Sequence, residues 1–330
     1  MSVTIHDVAE EASVSATTVS RVFNHDHLVK PDTRERVLQA ARRMGYTPNA
    51  AAQSLSSGRT RSLGVILPAP HGEFFSELIR GLDEAAQESN HYLLIASSHY
   101  KQEEGASALS SLVGRVDGLI IMTPRVQSGA LTANIDIDMP TVFINTERGE
   151  TRADLFSLEN REGAERAVEH LIERGHRRIG VITGPIGSRD VEDRMAGYRA
   201  ALRAHGLEGG PVVEGTFTQK SGYEAGKTIA GFDDLPDAIF ACNDYMAIGA
   251  MAALQEEGYE VPGDIAVAGF DDIASARYAS PSLTTVHIPI YEIGRRAGAR
   301  LIERIRSDAS FEPQEFTLPH ELKVRDSTGR

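Results

Sequence analysis

Along the first 45 residues the apolar positions recur at helical spacing and are interrupted twice. Thr4 and Asp7 have the three-residue separation of a capping box, and Ile5, Val8, Ala9 and Ala12 follow at the spacing of one helix face. Ser13-Val14-Ser15 breaks that pattern. Ser15 is a good cap for a second helix, Ala16 to about Asn24, with Val19, Val22 and Phe23 turned inward. A third helix opens at Pro31-Asp32-Thr33, where Pro suits a first turn, and Gly45 stops it. Two short helices joined by a three-residue turn make a helix-turn-helix unit.

From Leu63 the texture changes to short apolar runs alternating with amphipathic stretches. Leu63–Leu67, Tyr92–Ala96, Gly118–Met122 and Thr141–Ile144 read as one set of strands. Arg178–Thr183, Val212–Glu214, Ala238–Cys242 and Ile265–Gly269 read as a second set. Helices are predicted between them at Glu73–Ser89, Arg161–Arg174, Asp193–His205 and Asp244–Glu257. Continuous apolar strands alternating with helices imply parallel sheets covered on both faces, and two sets imply two lobes with a ligand cleft between them. Between head and body, Asn49–Ser56 is an Ala-rich segment after Pro48. It can form two helical turns, a length at which an isolated helix is marginal in water.

Composition narrows the picture. The chain has 330 residues, 41% hydrophobic and 25% charged, which suits about two or three folded domains and excludes disorder as the main state. The longest apolar runs are of strand length, short of the roughly 20 residues of a membrane span. The start, MSVTIHDVAEEAS, lacks the basic and apolar pattern of a secretory signal. Cys242 is the single cysteine, which excludes an intramolecular disulfide and a Cys-rich zinc site. A cytoplasmic location is expected. Net charge is −13, yet residues 1–61 hold eight Lys and Arg against six acids. An acidic body repels nucleic acid, so only the head could dock there.

The exposed positions of the second helix, Ser15, Ala16, Thr17, Thr18, Ser20 and Arg21, are small, polar or cationic. Such a helix can sit deep in a major groove, where Arg bonds guanine and Thr methyls meet thymine methyls. In the body, chemistry collects where strands end: Phe74 and Phe75, Asn145, Arg194, Phe217, Asn243-Asp244 and Asp271-Asp272. Planar bidentate groups bind vicinal hydroxyls and aromatic rings cover apolar C–H faces, so the set fits a sugar. Asp271 and Asp244 could instead cap the helices that follow them, and Phe75 could belong to the core. No His/Asp/Glu cluster has zinc spacing, and neither a Walker loop nor a Gly-x-Ser-x-Gly elbow is present.

Thr4-Ile5-His6-Asp7-Val8-Ala9, Val14-Ser15, Thr18-Val19-Ser20-Arg21-Val22-Phe23-Asn24, Pro31-Asp32-Thr33-Arg34, Gly45-Tyr46-Thr47-Pro48-Asn49 and Ala52-Gln53-Ser54-Leu55 keep order and spacing over some 55 residues. This run resembles the LacI/GalR family of lactose-repressor type regulators, and the likeness extends nearly to the end of the chain. The resemblance implies an all-α helix-turn-helix head and a two-lobed α/β body like the periplasmic binding proteins. The implied limits are 1–48 for the head, 49–61 for a hinge and 62–330 for the body. Lobe 1 would take about 62–160 and 291–318, and lobe 2 about 161–290 and 319–330.

By position, the resemblance makes Ala16, Thr17 and Arg21 base readers. Thr4, Ser15, Thr18, Ser20, Asn24, Thr33 and Tyr46 become phosphate contacts. It makes Asn49, Ala52 and Leu55 part of a hinge helix, with Leu55 wedged between base steps in the minor groove. Phe74, Asn145, Arg194, Phe217, Asn243 and Asp271 become effector contacts. Ala16-Thr17 is similar to the small readers of the purine-repressor branch. The chain departs from the family at His287-Ile288-Pro289-Ile290, where many members have a polar Gln, and in the charged loop Gly187–Asp193. The tail, about Phe311–Arg330, is polar and has no leucine heptad, so a homodimer on a pseudo-palindromic DNA operator is expected.

The expected function is therefore a cytoplasmic, effector-controlled repressor, with no metal or other cofactor and no membrane partner. A neutral sugar is favoured as effector over a nucleoside or purine corepressor. A sugar transport receptor would need a signal peptide and no head. A sugar-processing enzyme would need catalytic motifs that the chain lacks.

Overall fold

A computed structural model describes residues 3–24, 29–47, 58–99, 101–123, 139–146, 153–307 and 312–329. Two compact units emerge, Met1–Ser62 with Gly114–Asp117, and Leu63–Val113 with Gly118–Arg330.

The head consists of helices Ile5–Glu11, Ala16–Asn24 and Pro31–Met44. Val8, Val19, Val37 and Ala40 are fully buried and form its core, as the helical spacing predicts. The first helix carries the full capping box, Thr4 accepting from the Asp7 amide while Asp7 accepts from the Thr4 amide. Ser15 Oγ accepts from the Thr18 amide at 3.1 Å and so caps the second helix. Gly45 ends the third in the left-handed region, φ +64°, where a side chain would strain the backbone.

The body strands are β1 Ser62–Leu67, β2 Tyr92–Ser97, β3 Gly118–Ile121, β4 Thr141–Ile144, β5 Asp154–Leu158 and β6 Ile179–Thr183. They continue as β7 Val212–Glu214, β8 Ala238–Ala241, β9 Ala266–Asp271, β10 Thr284–His287, β11 Glu315–Leu318 and β12 Glu321–Lys323. One six-stranded sheet has the order β11-β5-β4-β3-β1-β2, the other β12-β10-β9-β8-β6-β7. Each recorded pairing is parallel except the antiparallel β12 beside β10. Strands β3, β4, β6 and β8 are buried throughout, which is why their sequences are apolar without alternation.

The chain passes between the lobes three times. After β5 it enters helix Asn160–Glu173, which packs on Arg189–Ala204 in the second lobe. After β10 it returns through Ile288-Pro289 to helix Ile290–Arg306, which packs on Glu73–Glu88. That last pair is in backbone contact: a Cβ on Gly81 would lie 2.1 Å from the Tyr291 carbonyl oxygen. The third passage joins β11 to β12.

Several elements differ from the sequence reading. Helix Arg189–Ala204 starts a turn earlier than the predicted Asp193, so most of the charged loop is helix. The polar tail is not a loose end. It supplies β11 and β12 and a buried turn, in which Ser327 Oγ donates to the Val267 carbonyl at 2.6 Å. His170, in the last turn of helix Asn160–Glu173, is buried, with Nε2 2.9 Å from Thr328 Oγ1.

Candidate functional site

In the head, Thr17 and Arg21 are exposed one turn apart on the second helix, and Ala16 and Ser20 lie half-buried beside them. The surface has the small-then-cationic character that a major-groove reader needs. Ser15 is exposed and Thr18 half-buried, and their hydroxyls lie 2.9 Å apart. Thr4 is exposed, with its hydroxyl donating to Asp7 at 2.8 Å. Thr33 is half-buried in the first turn of the third helix. Tyr46 stacks obliquely on Phe23, ring centroids 5.8 Å apart, which fixes the chain where it leaves the head. The Asn24 side chain and all of Asn49, Ala52 and Leu55 lie outside the described residues. Beyond them, Asp117 accepts from the Thr60 amide at 2.6 Å, the Thr60 hydroxyl at 2.9 Å and the Arg61 amide at 2.8 Å. The sequence reading passed over this clamp, because nothing local marks Asp117.

In the body, a cleft of about 380 Å³ opens between the carboxyl ends of the two sheets. Phe74, Arg194, Phe217, Asn243 and Asp271 line it, five of the six residues predicted to meet the effector. Asn145, the sixth, is buried at the end of β4 and donates to Asp190, which lines the cleft from the opposite lobe. Phe75 also lines the wall, edge-on to Phe74 at 5.3 Å.

Arg194 is the centre of the polar side. Only 3% exposed, it donates through Nε to Asn160 Oδ1 at 2.8 Å, through Nη1 to the Cys242 carbonyl and through Nη2 to Asp271 Oδ1 at 3.1 Å. Its guanidinium carbon lies over the Phe270 ring, 3.8 Å from the centroid. Asp190 accepts from both Asn145 and Asn160 on one carboxylate oxygen. Asp271 thus pairs directly with the guanidinium, while Asp190 is bonded by the two asparagines and feels the Arg194 charge nearby. Burial pushes both carboxyls upward, Asp271 to about 7, against the pull of Arg194. Burial also pushes the Cys242 thiol up to about 12, so it is inert packing.

Backbone strain marks the same residues. Asn145, Phe217, Asp271 and Asp272 all have positive φ, at 45°, 61°, 107° and 55°. Held against their preference, such residues cluster where a side chain must be aimed. The Phe217 ring lies on Gly184, where a Cβ would sit 2.3 Å from it, so only glycine leaves the ring its place. Asn243 caps the next helix by accepting from Met246 N at 3.0 Å and holds the Phe217 carbonyl at 3.1 Å. Neither aspartate does the capping that the sequence left open. Ile273 is the cap of the helix after Asp271. Asp244 instead accepts from Thr285 at 2.6 Å and from the Ile273 amide at 2.9 Å.

Asp190 and Tyr245 were missed by the sequence reading. Asp190 lay in what read as a loop, and Tyr245 followed a conspicuous Asn-Asp pair. The Tyr245 hydroxyl accepts from the Glu73 amide at 2.7 Å, and Glu73 in turn accepts from the Ser275 amide at 2.9 Å, so both tie the lobes together. Arg189, in the first turn of its helix, pairs with Asp193 at 3.5 Å. Among the described residues no helix is long and apolar enough to cross a membrane.

A helix-turn-helix head with a two-lobed, ligand-sized α/β cleft defines a class of DNA-binding transcriptional repressors. Comparison with known proteins makes this specific. The model for bacterial regulatory proteins of the lacI family matches residues 4–49, and that for the periplasmic binding protein-like domain matches residues 168–328. The HTH-type transcriptional repressor PurR of Pasteurella multocida (strain Pm70) is 35% identical over 98% of both chains. A crystal structure of the lac repressor dimer bound to operator and the anti-inducer ONPF superposes with a TM-score of 0.88 at 28% identity, covering 100% of both chains. The regulator CelR in complex with cellobiose matches with a TM-score of 0.71 at 31% identity, over 98% of this chain and 99% of that one. The chain belongs to the lacI family of bacterial regulatory proteins.

Proposed function

We propose that the protein is a cytoplasmic repressor whose grip on a pseudo-palindromic operator is set by an uncharged sugar held between the lobes. The observation that carries this reading is the buried Arg194 hub, with Asp190, Asn243 and Asp271, facing the rings of Phe74 and Phe217 across the cleft. Forked donors and carboxylate acceptors match vicinal hydroxyls, and the rings match the C–H face. Among the described residues lining the cleft, Arg194 is the only Lys or Arg, and it is engaged by Asp271. A phosphate would meet two carboxyls and one committed cation. On the DNA side, Ala16, Thr17 and Arg21 read bases, while Thr4, Ser15, Thr18, Ser20, Asn24, Thr33 and Tyr46 hold phosphates. Asn49, Ala52 and Leu55 form the hinge between a head of residues 1–48 and a body from 62 onward. Two copies act together, as in the lac repressor dimer.

The test is a thermal-shift screen of the full-length protein against sugars, sugar phosphates and purines, followed by calorimetry on the hits. A neutral sugar is expected to stabilise wild type and not Arg194→Ala. A sugar phosphate or purine preferred by more than tenfold would overturn the sugar reading.

A further inference from the structure

A second cavity, of about 450 Å³, lies on the other side of Phe74 and Asp271, the two residues that line both it and the cleft. Its walls come from the first turns of helix Glu73–Glu88 in one lobe, from the end of β9 in the other, and from Ile288-Pro289 of the crossover between them. Most of that wall is apolar: Phe74, Ile273, Ile288, Pro289 and Ile290. The three isoleucines are buried, so their positions are fixed by the core. A concave, mostly apolar space with a few polar groups is the usual form of a small-molecule site.

The polar groups decide what such a site can take. No Lys or Arg is among the described residues that line it. Its carboxylates are Glu73, Glu77, Asp271, Asp272 and Glu292. All but one have a cationic partner. Arg80 holds Glu77 at 3.2 Å, Arg295 holds Glu292 at 3.0 Å and Arg194 holds Asp271 at 3.1 Å. Asp272 has Arg325 and, at 3.0 Å, His287. Glu73 is the exception. Among the described residues its carboxylate accepts from neutral donors alone, the Ser275 amide at 2.9 Å and the Ser275 hydroxyl. Its place at the start of a helix steadies the charge but supplies no counter-ion. The cavity is therefore an apolar space with a single unbalanced carboxylate at its edge.

We propose that this cavity is a second ligand site, separate from the cleft, for a small organic cation: a primary ammonium paired with Glu73, on an apolar body packed against Phe74 and Ile288–Ile290. The inference stands apart from the sugar reading, since it uses neither Arg194 nor Phe217. It carries a regulatory consequence. Ser275 lies in helix Ala274–Tyr278 of the second lobe, so its bonds to Glu73 tie the lobes together. An ammonium competes for that same carboxylate, and its apolar body rests on the crossover. Occupancy then depends on how the lobes are set, and by linkage the setting of the lobes depends on occupancy.

The test is calorimetry of the full-length protein with phenethylamine and isopentylamine, each beside the alcohol of the same shape, phenethyl alcohol and isopentyl alcohol. At least one amine is expected to bind about ten-fold or more tighter than its alcohol, as a hydrogen bond to a charged group provides. Glu73→Gln keeps the size and removes the charge, and it should abolish most of that preference. Ile288→Ala should weaken amine and alcohol alike and leave their ratio standing. Binding by neither amine at millimolar concentration would overturn the proposal. So would equal affinity for amine and alcohol, or a preference unchanged in Glu73→Gln. Amine binding that is lost in Phe217→Ala and kept in Glu73→Gln would place the amine in the cleft and overturn the proposal as well.

Discussion

Replacing Arg194 by alanine removes a guanidinium that is 3% exposed, makes three hydrogen bonds and covers the Phe270 ring. It leaves the half-buried Asp271 without its ion-pair partner and Asp190 without a nearby positive charge. Removing one partner of a buried ion pair costs about 3–5 kcal/mol, because the other charge stays desolvated. The orphaned carboxyls have one way out, which is to hold a proton. The wild-type Asp271 carboxyl is already raised to about 7, and loss of Arg194 must raise it further. The destabilisation is therefore larger at pH 9 than at pH 6. The difference is about 1.4 kcal/mol for each pH unit through which the variant keeps a proton that wild type has released. Urea unfolding followed by far-ultraviolet circular dichroism at both pH values measures this. A loss below about 1 kcal/mol at pH 9, or an equal loss at the two pH values, would refute the ion-pair reading.

Asp271→Asn tests the same site from the other side. A carboxyl raised on folding stabilises fully below its unfolded value near 4, and that stability is lost as pH rises through about 7. The variant's stability relative to wild type should therefore climb between pH 4 and 7 in thermal melts, and a flat difference would contradict it. Ser15→Ala removes the cap of the second helix and should destabilise the head by about 1 kcal/mol, seen as faster hydrogen exchange at the Thr18 amide. Asp117→Ala should expose the Thr60 and Arg61 amides to exchange and weaken DNA binding while leaving the body's melting temperature within a degree or two. Gly81→Ala forces apart two helices in backbone contact and should cost about 1–3 kcal/mol; an unchanged melting temperature would contradict the contact.

What was legible in the sequence follows physical locality. The head's helices could be read because caps, turn residues and apolar spacing all act within a few residues. The interior strands could be read because both faces are buried, leaving unbroken apolar runs. Strands β5, β10, β11 and β12 were not read, because their polar residues are satisfied only by distant partners. Asp154 is fully buried beside Arg300 at 2.8 Å and Arg304 at 3.3 Å. Thr284 finds Thr328 at 2.8 Å, and Thr285 finds Asp244. Before folding, such segments read as loop. The cleft residues were legible because open α/β sheets gather ligands at strand ends. Asp190 was not, since its position depends on where a helix begins.

The most direct test of effector control is one titration. A duplex selected from a randomised library by the full-length protein is titrated by fluorescence anisotropy, with and without a saturating sugar found in the thermal-shift screen. A coupling of about 1–3 kcal/mol between two sites changes affinity roughly 5–150-fold. A shift of at least five-fold in wild type, abolished in Arg194→Ala while sugar-free DNA binding persists, is the expected result. An identical DNA affinity with the cleft empty and filled would contradict it.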